Sequence, residues 1–348
     1  MFLRFFISRC DERICGGGWD TRINSALMGY LIANITHRTF KFEHLKPKTC
    51  DITKYIVPNR VNWSLPHSFH DDIYKEGKKD AKIVYTVDSY DWVVNLPKKN
   101  FTDPEFVPPS KKFVYYYGSS WVEAPWKKSL YSQQQLAWMD GLGVGEVKAA
   151  LYKHLFKLTP YMKDKLKSIL KKNVPTDKHT LVCAHVRTGR NPTNPHDTTR
   201  RIRLETVFRV WEALEEQVRG NPLSRVFLMS DNQAVLDDAR NQSFADKLFS
   251  IDGPIVHLDR PADNQTAADK CEGLERLLIE QHLLMACDVM MMSHSGISHS
   301  AGDIRGSDLG LYCIYDNATV TKCRRRDFPN IFMTSEGRFA KDFDGGDS

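Results

Sequence analysis

Residues 180–190 read Thr180-Leu-Val-Cys-Ala-His-Val-Arg-Thr-Gly-Arg190. The stretch starts as a continuous apolar run and ends as a cationic loop with a glycine. An apolar run of this length suits a parallel strand covered on both faces. His185, Arg187 and Arg190 then fall at or just past its carboxyl end, which is where open α/β sheets bind ligands. Arginine offers a planar fork of donors suited to phosphate, and Gly189 permits close backbone approach. A plain surface turn with ordinary arginines is the competing reading of this segment taken alone.

Outward from this strand, the flanking sequence alternates in α/β fashion. Helices are expected over 147–156, 161–172, 204–219, 232–240 and 272–286, and strands over 180–187, 225–230, 288–293 and 310–315. Thr159-Pro160 has the form of a helix start. This alternation predicts a parallel, doubly wound sheet. Upstream, Gly16-Gly17-Gly18-Trp19-Asp20 leads into a helix over 22–34, followed by a strand at 38–42. Residues 45–135, rich in proline and aromatics, predict short strands and long loops. At 348 residues the chain is expected to form about two domains. They are read as 1–158 and 159–335, with a tail at 336–348.

A hydrophobic content of 41% with 26% charged residues describes an ordinary globular chain. The net charge of +6 comes without a nucleic-acid module, so no nucleic-acid partner is expected. The basic cluster Lys322-Cys-Arg-Arg-Arg326 reads either as a solvated face or as a contact for an anionic surface. No apolar stretch is long enough for a membrane span, and Met1–Ile7 is too short for a signal-peptide core. The eight cysteines include no Cys-x-x-Cys, so no zinc pattern arises. Cys10, Cys15 and Cys50 allow disulfides, whereas Cys183 and Cys287 read as packed thiols inside core elements. Sequons stand at Asn34, Asn62, Asn100, Asn241, Asn264 and Asn317. They permit glycosylation in a secretory lumen, with Asn34, on a helix, the least suited.

Three motifs carry chemistry. The glycine loop at 16–18, including Gly17, Gly18 and Trp19, lacks the P-loop Gly-Lys-Ser/Thr and the dinucleotide Gly-x-Gly-x-x-Gly. It is either a tight turn or a backbone approach to a ligand at a helix N-terminus. The second motif is His185-Val-Arg187-Thr-Gly189-Arg190. The third runs from Glu280 through Asp288 to Ser293-His294-Ser295-Gly296. Here a helix delivers an apolar strand that opens into a loop of small hydroxyl residues, suited to a diphosphate. His294 and His299 have no carboxylate at ligand spacing, so no metal is expected.

Together these motifs resemble the GDP-fucose-dependent fucosyltransferases: the α1,2-, α1,6- and protein O-fucosyltransferases. Gly18-Trp-Asp-Thr-Arg-Ile and Thr36-His-Arg-Thr39 are similar to the opening motif of the α1,6 and Nod-factor branch. His185-Val-Arg187 matches the hallmark motif, and Leu274–Ser295 resembles the third motif of the α1,6 branch without a gap. Tyr152–Lys165 is similar to the helix before the hallmark strand. The resemblance spans 15–315, and the middle, 45–145, takes no part in it.

The resemblance implies a GT-B-like architecture, two Rossmann-like domains facing across a cleft. The N-terminal domain would lie on the acceptor side. GDP-fucose would be the donor, bound mainly by the C-terminal half. Transfer to a glycan or glycoprotein acceptor would be inverting, metal-independent and free of any cofactor. Arg187 would stabilise the leaving diphosphate, Ser293 and Ser295 would hydrogen-bond its phosphates, Glu280 would read the guanine edge and His185 would line the same pocket.

Thr188 departs from the α1,6 branch, which has a second arginine there; Arg190 is the candidate substitute. The general base cannot be carried over from the family. Asp197 is favoured, with His196 and Asp20 as competitors. The alternatives are a non-catalytic GDP-sugar or glycan-binding protein of the same fold, a protein O-fucosyltransferase, or a transferase using another nucleotide sugar. A lumenal location, Golgi or endoplasmic reticulum, is expected for a eukaryotic enzyme, and a cytoplasmic one for a bacterial enzyme or one without an N-terminal anchor.

Overall fold

The computed structural model describes residues 4–10, 18–44, 50–65, 80–86, 103–118, 134–189, 201–258 and 265–328. The chain divides into two compact units, residues 1–157 and 158–348.

The first unit holds a four-stranded sheet in the order β2-β1-β5-β4, built from β1 (Phe5–Cys10), β2 (Thr39–His44), β4 (Ala81–Thr86) and β5 (Phe113–Gly118). All its pairings are parallel. Phe5–Ile7, considered above only as part of a candidate signal-peptide core and found too short for one, belong to an interior strand whose Phe6 and Ile7 are fully buried. An apolar run too short for an export signal is of the length that suits a covered parallel strand. Helix α1 (Trp19–Ile35) packs on this sheet. Gly29 permits the contact, because a Cβ there would stand 2.9 Å from the Ser8 Cβ. Short strands β3 (Ile56–Pro58) and β6 (Phe156–Leu158) pair with each other, and α2 spans Val144–Leu155.

The second unit carries a six-stranded sheet in the order β12-β11-β10-β7-β8-β9. Its strands are β7 (Thr180–Val186), β8 (Ser224–Ser230), β9 (Leu248–Phe249), β10 (Val289–Ser293), β11 (Leu311–Ile314) and β12 (Val320–Lys322). All pair in parallel except β12, which returns antiparallel to β11. The helices are α3 (Pro160–Asn173), α4 (Phe208–Val218), α5 (Gln233–Ala239), α6 (Ala267–Met285) and α7 (Gly296–Arg305). Thr159 caps α3, accepting from the Met162 N–H at 3.3 Å, with Pro160 in the first turn. Thr266 and Asp269 form a reciprocal capping box at α6. In β7 every residue after Thr180 is buried, as expected of a strand covered on both faces.

The strand order has a functional consequence. From β7 the chain moves to β8 and β9 on one side. It then returns to β10 and β11 on the other. The reversal leaves β7 and β10 adjacent, with Met292 opposite His185. This is a topological switch point, and its carboxyl end is the general ligand position in such sheets.

Two expectations need correction. The segment after Ser293 is not an open hydroxyl loop, because α7 starts at Gly296 and runs to Arg305. Ile297, Ala301 and Ile304 give it a buried face, and the run of small polar residues concealed that spacing. Cys183 and Cys287 are not packed thiols; they form a disulfide, their Cα atoms 6.0 Å apart. The β7–β10 register sets Cys183 opposite Met290, three residues beyond Cys287. This proximity exists only once the parallel sheet is formed. Cys313 and Cys323 form a second disulfide across the β11–β12 hairpin. Cys10, Cys50 and Cys271 are also disulfide-bonded, and among the described residues no cysteine is free.

Candidate active site at the sheet switch point

The site is built where β7 and β10 end side by side. His185, the penultimate residue of β7, is 2% exposed. Its Nδ1 hydrogen-bonds the hydroxyl of Ser298, in the first turn of α7. Burial pushes the imidazole down to about 4, with Asp231 raising it and Arg187 lowering it to smaller extents. His185 is therefore neutral at physiological pH.

The backbone N–H of Arg187 donates to the hydroxyl of Ser293 at 3.0 Å. Ser293, read from the sequence as a phosphate contact, is fully buried, and this bond ties the ends of the two strands together. Ser295 sits at the N-cap of α7 in extended conformation, with no side-chain capping bond, and Gly296 is the first helical residue. The first-turn N–H groups of a helix attract anions. His294 stacks on His299 with ring centroids 5.8 Å apart, and His299 stacks on Phe328 at 5.6 Å. Burial, and secondarily Arg201, pushes His294 down to about 4.

The sequence reading missed Asp231 and Asn232, which follow β8. The Asp231 carboxylate accepts from Arg187 Nη1 at 2.9 Å and from the backbone N–H groups of Thr188 and Gly189 at 2.8 and 2.9 Å. The Thr188 hydroxyl adds a longer bond at 3.2 Å. Asn232 Nδ2 donates to that hydroxyl at 3.3 Å, while Asn232 Oδ1 accepts from the Ala234 N–H and starts α5. Gly189 has φ +61°, the left-handed conformation that glycine adopts without a Cβ penalty. Thr188, where the α1,6 branch has its second arginine, is 3% exposed and turned inward onto this network. The available signal was Ser230-Asp231-Asn232 at the carboxyl end of the predicted strand 225–230.

Arg201 and Ile202 are bonded to the same turn. Their N–H groups donate to the carbonyls of Thr188 and Arg187 at 2.9 and 3.1 Å. Arg190, His196 and Asp197 lie outside the described residues, as does Gly17.

Glu280 lies on α6. It is 3% exposed, so it is no surface carboxylate. Among the described residues it pairs with Arg276 Nε at 2.9 Å, not with the loop after β7. Arg276 Nη1 in turn donates to the Gly253 carbonyl. Burial pushes the Glu280 carboxyl up to about 7, with Arg276 pulling the other way. In the first unit, Gly18 is the N-cap of α1, and a Cβ there would meet nothing within 4 Å. Trp19 is buried, edge-on to His44 at 5.8 Å. Asp20 accepts from Asn24 Nδ2 at 3.0 Å. Asp288 is structural: its carboxylate accepts from the Leu181 N–H at 2.8 Å, at the opposite end of β7 from the site.

Among the described residues, no group of three or more His, Cys, Asp or Glu is placed to hold a metal ion. The site thus joins a neutral histidine, a carboxylate-anchored arginine and the open start of a helix at one sheet end. Such a set can hold and stabilise a polyanion.

The sequence matches no family profile and no curated protein. Solved structures do match. A mutant of Arabidopsis thaliana FUT1 in complex with GDP superposes with a TM-score of 0.57 at 12% identity, over 90% of this chain and 71% of that one. The NodZ α-1,6-fucosyltransferase soaked with GDP-fucose matches with a TM-score of 0.52 at 13% identity, over 92% and 98%. Fucosyltransferase NodZ from Bradyrhizobium matches with 0.51 at 14%, over the same shares. The chain has the fold of these fucosyltransferases. This is the α/β, GT-B-like class that the sequence motifs implied.

Proposed function

We propose that this chain is a metal-independent, inverting glycosyltransferase that moves L-fucose from GDP-fucose to a glycan acceptor, most simply of α1,6 type. The observation that carries the reading is the position of His185 and Arg187 at the β7–β10 switch point, beside the open N-terminus of α7, in a chain with the fold of structures in complex with GDP or soaked with GDP-fucose. Arg187 and the first turn of α7, with Ser295, stabilise the departing diphosphate, supplying charge where other transferases use a metal. Ser293 fixes the Arg187 backbone. His185, neutral and bonded to Ser298, shapes the nucleotide pocket. Glu280 accepts from the guanine edge. Asp197 is the proposed general base for the acceptor hydroxyl, with Asp20 and His196 as the residues to compare with it.

A lumenal setting is part of the proposal. The absence of free cysteines among the described residues suits an oxidising compartment, and the sequons Asn34, Asn62, Asn241 and Asn317 are all exposed. Among the described residues no helix is long and apolar enough to cross a membrane.

The test is transfer of radiolabelled fucose from GDP-fucose to a glycan panel, with UDP- and CMP-sugars as competitors. Transfer from GDP-fucose supports the reading. GDP binding without turnover on any acceptor, or turnover of a different nucleotide sugar, overturns it in favour of a binding protein or another transferase.

A further inference from the structure

Asp231 accepts four hydrogen bonds from three consecutive residues of the loop after β7, and two of these bonds come from backbone N–H groups. Successive N–H groups of this kind form an anion-binding concavity, here beside a guanidinium. In this fold the concavity is filled by the protein's own carboxylate. Asp231 is held from both sides: Ser230 donates its hydroxyl to the Val186 carbonyl at 2.8 Å, and Asn232 starts α5. Its side chain is only 10% exposed, against 18% for that of Arg187.

We propose that Asp231 is a positioning residue that fixes Arg187 and occupies the N–H concavity after β7, excluding the donor diphosphate from it. The proposal rests on the nucleotide-sugar reading of the same site. With the concavity filled, the diphosphate is left to the guanidinium charge of Arg187 and the first turn of α7. The carboxylate also offsets part of the guanidinium charge in the ground state while fixing its direction. Ground-state attraction for a diphosphate is thereby lowered, and the arginine stays aligned for charge that develops as the sugar–phosphate bond breaks. Interactions stronger in the transition state than in the ground state are those that raise turnover. An arginine without this carboxylate, beside an empty concavity, would bind diphosphate more tightly and be held less well for the chemical step.

The full chain is tested as wild type, Asp231→Ala and Asp231→Asn. The readouts are calorimetric titration with inorganic pyrophosphate, steady-state donor kinetics and thermal unfolding. Asp231→Ala is expected to bind pyrophosphate at least about fivefold more tightly, because it removes a negative charge and uncovers two N–H donors. Its kcat should fall at least about tenfold while the donor KM does not rise, the pattern of a lost alignment. Asp231→Asn keeps the shape and one acceptor oxygen, so it follows in the same direction to a smaller extent. It carries the test if the alanine variant does not fold. Pyrophosphate affinity that is unchanged or weaker in a folded variant overturns the proposal. So does a fall in kcat that merely parallels a fall in melting temperature. If the wild type turns over no nucleotide sugar, the transferase reading fails, and the pyrophosphate titration still decides the role of Asp231.

Discussion

The backbone N–H of Arg187 and the hydroxyl of Ser293 lie 3.0 Å apart across the ends of β7 and β10. The β7–β10 ladder has Met292 opposite His185. One step further, at the carboxyl edge, a serine side chain takes over as acceptor. This bond holds the hallmark arginine to the strand that leads into α7. Replacing Ser293 with alanine leaves that N–H without its acceptor in a buried setting. Such a loss typically costs ~1–3 kcal/mol. Urea unfolding should register it, and an Asp231→Ala background should leave the Ser293→Ala penalty in place, since the two groups bind different atoms of the loop. Wild-type stability in Ser293→Ala would show that the bond is not used.

Arg187→Ala should lose at least ~2 kcal/mol of transition-state stabilisation, the scale for removing one preorganised charge-stabilising donor. The loop should stay folded, because Thr188 and Gly189 keep their own bonds to Asp231. Arg187→Lys retains charge but not the planar fork that reaches a carboxylate and a phosphate together, and should recover only part of the loss. Near-normal kcat/KM in a folded Arg187→Ala protein would remove the arginine from the mechanism.

Much of the second unit was legible from its residues. The apolar run 180–186 and the Thr159-Pro160 start signal are local signals, and they report local structure. The hallmark residues were found for the same reason: they follow a strong strand. Asp231 was not found, because its meaning comes from the parallel pairing of β8 with β7, which no local pattern encodes. Met1–Ile7 illustrates the same limit. A short apolar run, too short for an export signal, does not declare itself a strand until its partners, β2 and β5, are known. The helix at Gly296 was hidden because serines and a glycine favour turns, and its apolar face rests on widely spaced Ile297, Ala301 and Ile304. The pairing of Cys183 with Cys287, separated by 104 residues, likewise awaits the sheet.

Activity should survive chelation. The one Asp-x-Asp of the sequence, Asp342-Phe-Asp344, falls in the C-terminal segment outside the described residues, and the proposed chemistry assigns the leaving-group charge to Arg187. Transfer measured in excess EDTA should equal that in buffer. Loss of activity restored by manganese or magnesium would place the chain in a metal-dependent class.

The proposed guanine contact of Glu280 would make GDP binding depend on pH. Its carboxyl is pushed up to about 7 by burial, and only the ionised form accepts from both guanine N–H donors. The competent fraction thus falls below pH 7, and GDP affinity should be about tenfold weaker at pH 6 than at pH 8 by that fraction alone. Titration of the GDP phosphate contributes separately, so the comparison is with Glu280→Gln. That variant should bind GDP ~1–3 kcal/mol more weakly at pH 8, as an opposed buried donor does, and lack the Glu280 part of the pH profile. Identical profiles for wild type and Glu280→Gln would return Glu280 to a purely structural pairing with Arg276.

The buried and half-buried histidines make the fold acid-sensitive. His185 and His294 are each lowered from 6.5 to about 4, chiefly by burial, and His44 and His282 are shifted in the same direction by the same cause. Between pH 4 and 6.5 the unfolded chain binds a proton at each of the first two sites and the folded chain does not. Stability therefore rises with pH across that window, by ~1.4 kcal/mol per pH unit for each histidine. Glu280 acts in the opposite sense. Its folded value near 7 exceeds the usual 4.5, so the folded chain keeps a proton that the unfolded chain releases, and this term falls with pH from 4.5 to 7. Two histidines outweigh one carboxyl, so net stability should climb from pH 4.5 to about 6.5 and stop climbing there. Denaturant unfolding at half-unit pH steps measures the slope. His294→Gln should lower that slope by ~1.4 kcal/mol per pH unit, while leaving the upper end of the profile, above pH 7, parallel to wild type. An unchanged slope in His294→Gln would mean that His294 takes up its proton in the folded state, and that the stacked pair with His299 opens to water.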